Sequence, residues 1–436
     1  MKLREKWAAN PLAARFLGNT GWILCERGLH LLLTLVTTSL TLRYLGPEGS
    51  GVIDYGASYL TVFTILCKLG IDSILVNEIV QKRGEPGELV GTAIGLRLVS
   101  ALLSVGAIAL LVSLLKPDSA TVRTVTVIQA AALLPAAFDT LDLWFQSRLQ
   151  SKYTAIAKLI AFVMVCGWRL ALIWLKADVY WFAAASVVDA ALIGVCLMLF
   201  YRHTGAARLR ATLATARYLL PRSAPFILSA LLITLYTQMD TLMLGSLIKT
   251  DPEGAVGIYN AAAKVCNMWA FVPLAIIDSA RPLIMGRKGE DEGAYRRGLR
   301  RLFSAVIWLD CAAALAVTGL GKWIIAILAG EEFAAAVPVL TVLIWAKLFS
   351  LMGTTRGIYM VSENLSRYVV LFAGIGAAVN FILNFTLIPR MGVMGAAAAT
   401  LATEVLTGAI LPPCFKKTRP LAGLMARGLI GKDGAV

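Results

Sequence analysis

The chain has 436 residues, of which 58% are hydrophobic and 15% are charged, and its mean hydropathy is +0.75. Soluble domains carry about 25% charged residues, so this composition excludes an ordinary soluble protein and indicates a polytopic membrane protein. The net charge of +15 does not indicate a nucleic-acid partner, because the basic residues lie in short segments between apolar runs. That arrangement is the one that membrane topology imposes.

Apolar runs long enough to cross a bilayer follow one another along the whole chain. A helix needs about 20 apolar residues to span the hydrocarbon core, and by this criterion the sequence predicts about twelve spans. Their approximate limits are 20–42, 52–78, 89–115, 121–146, 154–175, 179–201, 223–248, 255–281, 302–320, 322–350, 368–389 and 391–414. The motif AGEEFAAAVP interrupts the tenth run, which predicts either one span or a broken, re-entrant segment there. Prolines at 135, 273 and 338 predict kinks or breaks in spans four, eight and ten.

Lysines and arginines alternate between rich and poor connecting segments. With the N-terminus on the cytoplasmic side, the inside segments hold roughly four times as many of them as the outside loops. We therefore expect a multi-pass membrane protein with both termini in the cytoplasm.

Two halves of the chain share landmarks at a constant spacing. The motif Pro-Glu-Gly begins at Pro47 and again at Pro252, and Gly-Glu occurs at Gly84 and again at Gly289. A later pair, SRLQSKY and SENLSRY, is shifted by ten residues more, which we assign to the AGEEF interruption. This duplication predicts an all-α protein of two six-helix lobes, related by a pseudo-twofold axis along the membrane normal. We expect an N-terminal lobe at 1–200, a basic cytoplasmic linker at 201–222, a C-terminal lobe at 223–414 and a cytoplasmic tail at 415–436.

Nothing in the sequence indicates catalysis. It contains two histidines, no cluster with metal-ligand spacing and no nucleophile or phosphate-binding motif, and no long outer loop that could hold an acceptor sugar. We therefore expect no enzymatic activity, no metal site and no bound cofactor.

Charged residues within the predicted spans are the candidate functional residues, because an unpaired charge in lipid costs about 2.5–3.5 kcal/mol or more. Lys264 has no acid three or four residues away, which makes it the best candidate for a cation that faces a cavity, and Lys347 is the next. Lys68 and Asp72 are four residues apart, so on one helix they would share a face and neutralise each other or point to a ligand together.

Other polar residues in the spans have simpler interpretations. Arg97 lies near a span end and is expected to extend towards the interface. Asp139 and Asp142 are interpreted as a solvated helix end. Asn380 and Asn384 share a face and are expected to join helices by hydrogen bonds.

Four segments resemble a known family. LTLRYLGPEGSGVIDYGASYL and KLGIDSILVNEIVQKRG are similar to the first outer loop and second helix of the Wzx-type polysaccharide and O-antigen flippases. YTQMDTLMLGSL with GIYNAAAKV, and VNFILNFTLIPRMGVMGAAAATLATE, resemble helices seven and eight and helices eleven and twelve of those proteins. This family belongs to the multidrug/oligosaccharidyl-lipid/polysaccharide exporter (MOP) superfamily.

The resemblance implies a V-shaped transporter, similar to the multidrug (MATE) exporters, that flips an undecaprenyl-diphosphate-linked oligosaccharide by alternating access. The lipid would move from the inner to the outer leaflet of a bacterial inner membrane. By position it implies that Arg27, Lys68 and Lys264 hold the diphosphate, with Lys347 as a further cation. The acids Glu26, Asp72, Asp240 and Glu404 are candidates for ion pairing or for coupling to a proton or sodium gradient or to the membrane potential. Implied partners are membrane lipids, a polysaccharide polymerase and a chain-length regulator.

Three alternatives remain open at this point. A drug or metabolite exporter on the same scaffold predicts a cavity dominated by acids. A flippase for a peptidoglycan precursor would carry out the same reaction on another headgroup. A membrane polymerase of polysaccharide assembly is less consistent with the short outer loops.

Overall fold

The computed structural model describes the backbone of residues 11–205 and 207–430, and the side chains of these ranges except at 11–32, 73, 225, 226, 228, 229, 232, 427, 429 and 430. Every regular element in these ranges is a helix, which confirms the predicted all-α class. In this part of the chain, ten helices are long and apolar enough to cross a membrane. The count of twelve spans in two lobes of six stays a prediction.

The chain forms two compact units: unit 1 comprises Met1–Tyr44 and Val52–Thr234, and unit 2 comprises Leu45–Gly51 and Leu235–Val436. The helices of unit 1 are α1 (Pro11–Lys68), α2 (Asp72–Val80), α3 (Pro86–Leu115), α4 (Ala120–Ala130), α5 (Leu133–Ala136), α6 (Thr140–Ser147), α7 (Ser151–Trp174) and α8 (Val179–His203). The next helix, α9 (Leu213–Leu247), begins in unit 1 and ends in unit 2.

The helices of unit 2 after α9 are α10 (Pro252–Met285), α11 (Glu292–Leu328), α12 (Ala336–Ser362), α13 (Ser366–Met391), α14 (Val393–Val405), α15 (Leu411–Cys414) and α16 (Arg419–Ile430). A π-helical turn, Leu406–Ile410, joins α14 to α15. Each unit has an apolar core: Trp144 and Phe145 are buried at the centre of one, and Phe303 and Phe372 at the centre of the other.

Backbone conformation repeats along the chain at the spacing of the sequence landmarks. Gly46 and Asp251, which precede the two Pro-Glu-Gly motifs, have φ values of 65° and 50°. At Gly46 this conformation separates two helical segments within α1. Leu149 and Asn364, which occupy the same position in SRLQSKY and SENLSRY, have φ values of 54° and 56°. Residues with side chains rarely adopt positive φ, so these matching turns support the internal repeat.

The two Pro-Glu-Gly segments pack against each other within unit 2. A Cβ atom added to Gly51 would overlap the backbone carbonyl of Glu253, and one added to Gly257 would overlap the carbonyl of Pro47. Only glycine allows two helix starts to approach so closely. The first of these loops is therefore fixed to unit 2, although the helical segments on either side of it belong to unit 1.

Several span limits differ from the predicted ones by ten residues or more. Helix α9 begins at Leu213 rather than near 223, inside the predicted linker, and α11 begins at Glu292 rather than near 302. Helix α12 ends at Ser362 rather than near 350.

The second span ends at Lys68, because Leu69 and Gly70 have positive φ values, so Lys68 and Asp72 are not on one continuous helix. The ninth span extends to Leu328, and Glu331–Phe333 forms the short turn before α12. AGEEFAAAVP is thus the connection between two spans rather than an interruption of one.

The prolines have different effects. The fourth span is divided around Pro135 into α4, α5, a 3-10 turn and α6, as predicted. Helix α10 continues through Pro273. Pro338 does not break a span, because it lies in the first turn of α12, where the missing N–H group has no intrahelical acceptor.

The predicted tail contains a helix that packs onto unit 2. Leu421 and Met425 of α16 are buried in the core of that unit, and Gly428 lies against Phe303. The basic linker is also packed in place: Thr212 donates from its hydroxyl to Glu88 Oε1 at 2.6 Å.

Candidate functional site

Two of the predicted site residues, Glu26 and Arg27, lie on α1 where side chains are outside the described residues. Their predicted roles in ion pairing and in diphosphate binding therefore stay predictions. The other candidates fall into one group in unit 1 and two groups in unit 2.

Lys68 and Asp72 are neighbours in unit 1 in spite of the break between α1 and α2. Lys68 Nζ lies 3.8 Å from Asp72 Oδ2, and the Lys68 side chain is 43% exposed. Asp72 Oδ1 forms an ion pair with Arg97 Nη2. The prediction that Arg97 extends to the membrane interface is wrong, because this residue is 2% exposed. Its guanidinium stays within unit 1, where it pairs with Asp72.

Asp139 and Asp142 belong to the same group of charges. Asp142 accepts hydrogen bonds from the Thr154 hydroxyl at 2.7 Å and from Lys158 Nζ at 3.4 Å, and its side chain is 16% exposed. The interpretation of this pair as a solvated helix end is therefore wrong. Asp139 interacts electrostatically with Lys68, and its Oδ1 atom is buried with no hydrogen-bond partner in the described part of the chain.

We call this group of three cations and three acids the unit 1 cluster. Its members are Lys68, Asp72, Arg97, Asp139, Asp142 and Lys158. Positive and negative charges balance in it, so Lys68 does not contribute a net positive field on its own. Its exposed ammonium group can still donate hydrogen bonds to a ligand.

Asp240 is the centre of a buried hydrogen-bond network in unit 2. Its Oδ2 accepts from the Tyr259 hydroxyl at 2.5 Å and from the Thr400 hydroxyl at 2.6 Å. Its Oδ1 accepts from Asn384 Nδ2 at 2.6 Å and from Asn380 Nδ2 at 3.4 Å. We call these five residues the Asp240 network. They come from α9, α10, α13 and α14.

The expected role of the two asparagines in joining helices is confirmed, since both bond to Asp240 on another helix. The sequence did not reveal Tyr259 and Thr400 as partners, because neither contains a charge and each is separated from Asp240 along the chain. The network keeps a carboxylate in the membrane interior by giving each oxygen at least one donor. It also collects side-chain oxygens from several helices around one negative charge.

Glu404 is the second acid of unit 2, on α14. It accepts a hydrogen bond from the Tyr236 hydroxyl at 3.0 Å and interacts electrostatically with Arg356. Arg356 is buried on α12. Its guanidinium donates to the backbone carbonyl of Thr407, in the π-helical turn, where the widened backbone presents a carbonyl to a side-chain donor.

Lys347 and Lys264 lie on adjacent helices of unit 2. Lys347 Nζ donates to Asn267 Oδ1 at 2.8 Å, and Asn267 is one helical turn after Lys264 on α10. Both lysines are partly buried. Among the described residues no ion pair is found for Lys347 within 4 Å, although Glu404 and Asp310 interact with it electrostatically. The group that the Lys347 ammonium contacts directly is thus a neutral amide.

Asp310 is an acid that the sequence did not place in a site. It is 2% exposed and accepts from Trp269 Nε1 at 2.8 Å. An aspartate within an apolar run was the available signal, but the partner on α10 could not be read from the sequence. Unit 2 therefore contains three acids and two lysines at membrane depth: Asp240, Asp310, Glu404, Lys264 and Lys347.

These features define a class: a multi-pass helical membrane protein with charged residues held between its spans. The family model described as "Polysaccharide biosynthesis protein" matches residues 16–284. The chain belongs to this polysaccharide biosynthesis protein family, and the resemblance seen in the sequence is confirmed.

Relatives and solved structures are consistent with this assignment. A protein of Haloferax volcanii named "Probable flippase AglR" is 32% identical over 186 residues, which are 40% of this chain and 37% of that protein. The matched region thus spans little more than a third of the relative's length.

The fold is shared with MOP-superfamily transporters of known structure. A lipid II flippase, MurJ, in an inward closed conformation has a TM-score of 0.71 at 13% identity, covering 93% of this chain and 90% of that one. An inward-facing MATE-family transporter has a TM-score of 0.68 at 12% identity, covering 91% and 96%.

Proposed function

We propose that the protein is a flippase that moves a lipid-linked oligosaccharide from the inner to the outer leaflet of the membrane. The membership in a polysaccharide biosynthesis family and the fold of MOP transporters support this proposal. The observation that carries it is the ammonium group of Lys347, which is bonded to the neutral Asn267 in a membrane helix. A cation held by an amide keeps its charge available for an anionic headgroup.

The substrate that we propose is an undecaprenyl-diphosphate-linked oligosaccharide in a bacterial inner membrane. A diphosphate-sugar headgroup is anionic and strongly hydrated, so it cannot cross hydrocarbon unaided. Charge-assisted hydrogen bonds from lysine or arginine replace part of its hydration, while its lipid tail stays in the bilayer.

We propose Arg27, Lys68, Lys264 and Lys347 as the donors, and alternating access as the mechanism. A polymerase and a chain-length regulator would act on the product, and both termini would lie in the cytoplasm.

We propose the Asp240 network as the element that couples flipping to a cation gradient. A carboxylate, two amides and two hydroxyls provide the hard oxygen ligands that sodium prefers, and the same carboxylate can take a proton. Asn384 Oδ1 is buried with no hydrogen-bond partner in the described residues. Turning this amide over would direct that oxygen to a cation held by Asp240. Glu404 is the second candidate, and the membrane potential is the alternative driving force.

Reconstitution tests the proposal directly. Purified protein in liposomes should move a fluorescent undecaprenyl-diphosphate oligosaccharide to the outer leaflet, where a membrane-impermeant reductant bleaches it. The Lys347→Gln variant should be at least tenfold slower. Lys249→Gln is the matched control, because this exposed lysine lies outside the helices of unit 2. Equal rates for the wild type and for protein-free liposomes would refute the proposal.

A drug or metabolite exporter is the second candidate, because Asp240, Asp310 and Glu404 are the kind of membrane acids that bind organic cations. Efflux of a lipophilic cation by the same liposomes, without movement of the labelled lipid, would favour it. A flippase for a peptidoglycan precursor is distinguished by offering that lipid in place of the oligosaccharide lipid.

A further inference from the structure

A group of basic residues lies where the tail meets the start of α13 in unit 2. We call it the basic patch, and its members are Arg367, Lys416, Lys417 and Arg419, all of them exposed. The rings of Tyr368 and Phe415, whose neighbours in sequence are Arg367 and Lys416, are 5.7 Å apart. Residues separated by almost 50 positions along the chain are therefore brought to one place.

The backbone that holds the patch is fixed by packing and hydrogen bonds. Phe415 also packs against Phe372, with ring centroids 5.5 Å apart. Thr418 is fully buried and donates from its hydroxyl to the Pro412 carbonyl at 2.7 Å. Two residues after Arg419, Leu421 enters the core of unit 2. The backbone that carries the basic residues is thus already ordered and would lose little conformational entropy on binding.

The positive charge of the patch is not neutralised inside the protein. Among the described residues, none of its four members takes part in an ion pair. The acid nearest to Arg367 in sequence is Glu363, and its carboxylate is already paired with Lys288. Arg419 Nε donates to the backbone carbonyl of Pro413 at 3.4 Å.

The first turn of α13 adds to the attraction for anions. This helix of 26 residues begins at Ser366, and its N-cap residue, Leu365, makes no side-chain cap hydrogen bond. Backbone N–H groups at such an end carry a partial positive charge. Arg367 lies within this turn, so the helix end and the basic side chains favour the same kind of ligand.

We propose that the basic patch binds the phosphate headgroup of an anionic phospholipid in the leaflet at this end of unit 2. Clusters of four to eight basic residues next to a membrane helix attract anionic lipids. The ring of Tyr368 beside the patch is of a type that is enriched at the level of the headgroups. A lipid is also the one anionic ligand that is always present beside the end of a membrane helix. The phospholipid holds the tail on unit 2 and is distinct from the transported lipid.

The test compares the thermal stability of two charge-matched variants in detergent micelles that contain added phospholipid. The patch variant carries Arg367→Gln, Lys416→Gln and Lys417→Gln. The control variant carries the same changes at exposed cations near the opposite ends of unit 2 helices, Lys249→Gln, Lys322→Gln and Arg390→Gln.

Phosphatidylglycerol should raise the melting temperature of the wild type and of the control variant, whereas phosphatidylcholine should not. For the patch variant, the phosphatidylglycerol concentration that gives half of the effect should rise by about fivefold for each charge removed. The wild-type effect should weaken as salt is raised from about 0.05 to 0.5 M, because ions screen exposed charges. An equal response in both variants, or an equal effect of phosphatidylcholine, would overturn the proposal.

A second measurement does not need the variants to be stable. Wild-type protein is irradiated with phosphatidylglycerol that bears a photoreactive headgroup, and the cross-linked peptides are identified. Labelling concentrated at residues 366–368 and 415–419 supports the proposal. Labelling spread evenly over both ends of unit 2 contradicts the proposal. It is also contradicted if an acidic peptide prevents labelling of the patch and unlabelled phosphatidylglycerol does not.

Discussion

The side-chain amide of Asn384 donates to the carboxylate of Asp240 at 2.6 Å, which joins α13 to α9 in the interior of unit 2. Asp240 is 8% exposed and keeps its place in the membrane through this and three further hydrogen bonds. An isosteric change at Asp240 removes the charge and keeps the shape of the side chain, so the network should tolerate it better than a truncation. The coupling role proposed for Asp240 can therefore be separated from its structural role.

The first prediction concerns this separation. Asp240→Asn should leave a folded protein that has lost gradient-driven flipping by about tenfold or more, because a neutral amide can keep hydrogen bonds in the network but can neither take up a proton nor hold a cation by charge. The measurement is the rate at which the labelled lipid is flipped in liposomes, with and without an imposed sodium or proton gradient. Asn380→Ala, which removes the longer bond of 3.4 Å, should have the smaller effect. A gradient response of Asp240→Asn equal to that of the wild type would exclude Asp240 as the coupling acid.

The second prediction concerns Lys347. If its ammonium group binds an anionic headgroup, Lys347→Arg should retain part of the flipping rate and Lys347→Gln should lose it. Asn267→Ala should weaken substrate binding less than Lys347→Gln does, since the amide only orients the lysine. A double-mutant cycle on the apparent affinity for the lipid substrate separates the two roles. Fully additive effects would show that the contact at 2.8 Å does not matter for binding.

A third prediction addresses the ion pair of the buried Arg97 with the partly exposed Asp72. Asp72→Asn leaves the buried guanidinium without its ion-pair partner, so it should destabilise the protein by about 3–5 kcal/mol. Arg97→Met should cost less, because the remaining Asp72 side chain is 36% exposed. Changing both residues to apolar side chains of similar volume should recover most of that loss. Thermal unfolding in detergent is the measurement. Lys68→Gln is the control. Because the Lys68 side chain is 43% exposed, removing its charge should lower the stability less than a change at Arg97 or Asp72.

The fourth prediction concerns the close approach of the two Pro-Glu-Gly segments. Gly51→Ala should reduce the yield of folded protein strongly, because the added Cβ would overlap the backbone of Glu253 and overpacking of this kind costs about 1–3 kcal/mol or more. Gly167→Ala is the matched control, as no heavy atom lies within 4 Å of the added Cβ. This change should stabilise α7 slightly, because alanine is the better helix former. Similar yields for both variants would contradict the packing described at Gly51.

A fifth prediction tests topology. Alkaline phosphatase fused after Lys249, which follows α9, should be active outside the cytoplasm, and a fusion after Lys288, which follows α10, should be inactive. Expression levels of the two fusions are compared by immunoblot. The reverse pattern would invert the proposed orientation of the whole chain.

Sequence alone determined the class of this protein and the limits of most of its helices. Apolar runs of membrane length are a local property, and the polar connections between them are too, so both can be read without knowledge of the fold. The repeat at Pro47 and Pro252 could also be found in this way, and the left-handed residues before both prolines agree with it. The predicted limits were wrong where no long polar segment marks a turn, at Leu69 and between Leu328 and Ala336. They were also wrong where a helix extends into a polar segment, as at Leu213, Glu292 and Ser362.

The tertiary structure decided which charges are partners. Spacing along one helix paired Lys68 with Asp72, but the guanidinium that binds Asp72 comes from Arg97 on another helix. Asp240 was recognised as an acid within a span, whereas Tyr259 and Thr400 acquired their roles only because three helices bring their hydroxyls to one carboxylate. The cost of a charge in the membrane is fixed by its residue type, and the partner that offsets this cost depends on which helices pack together.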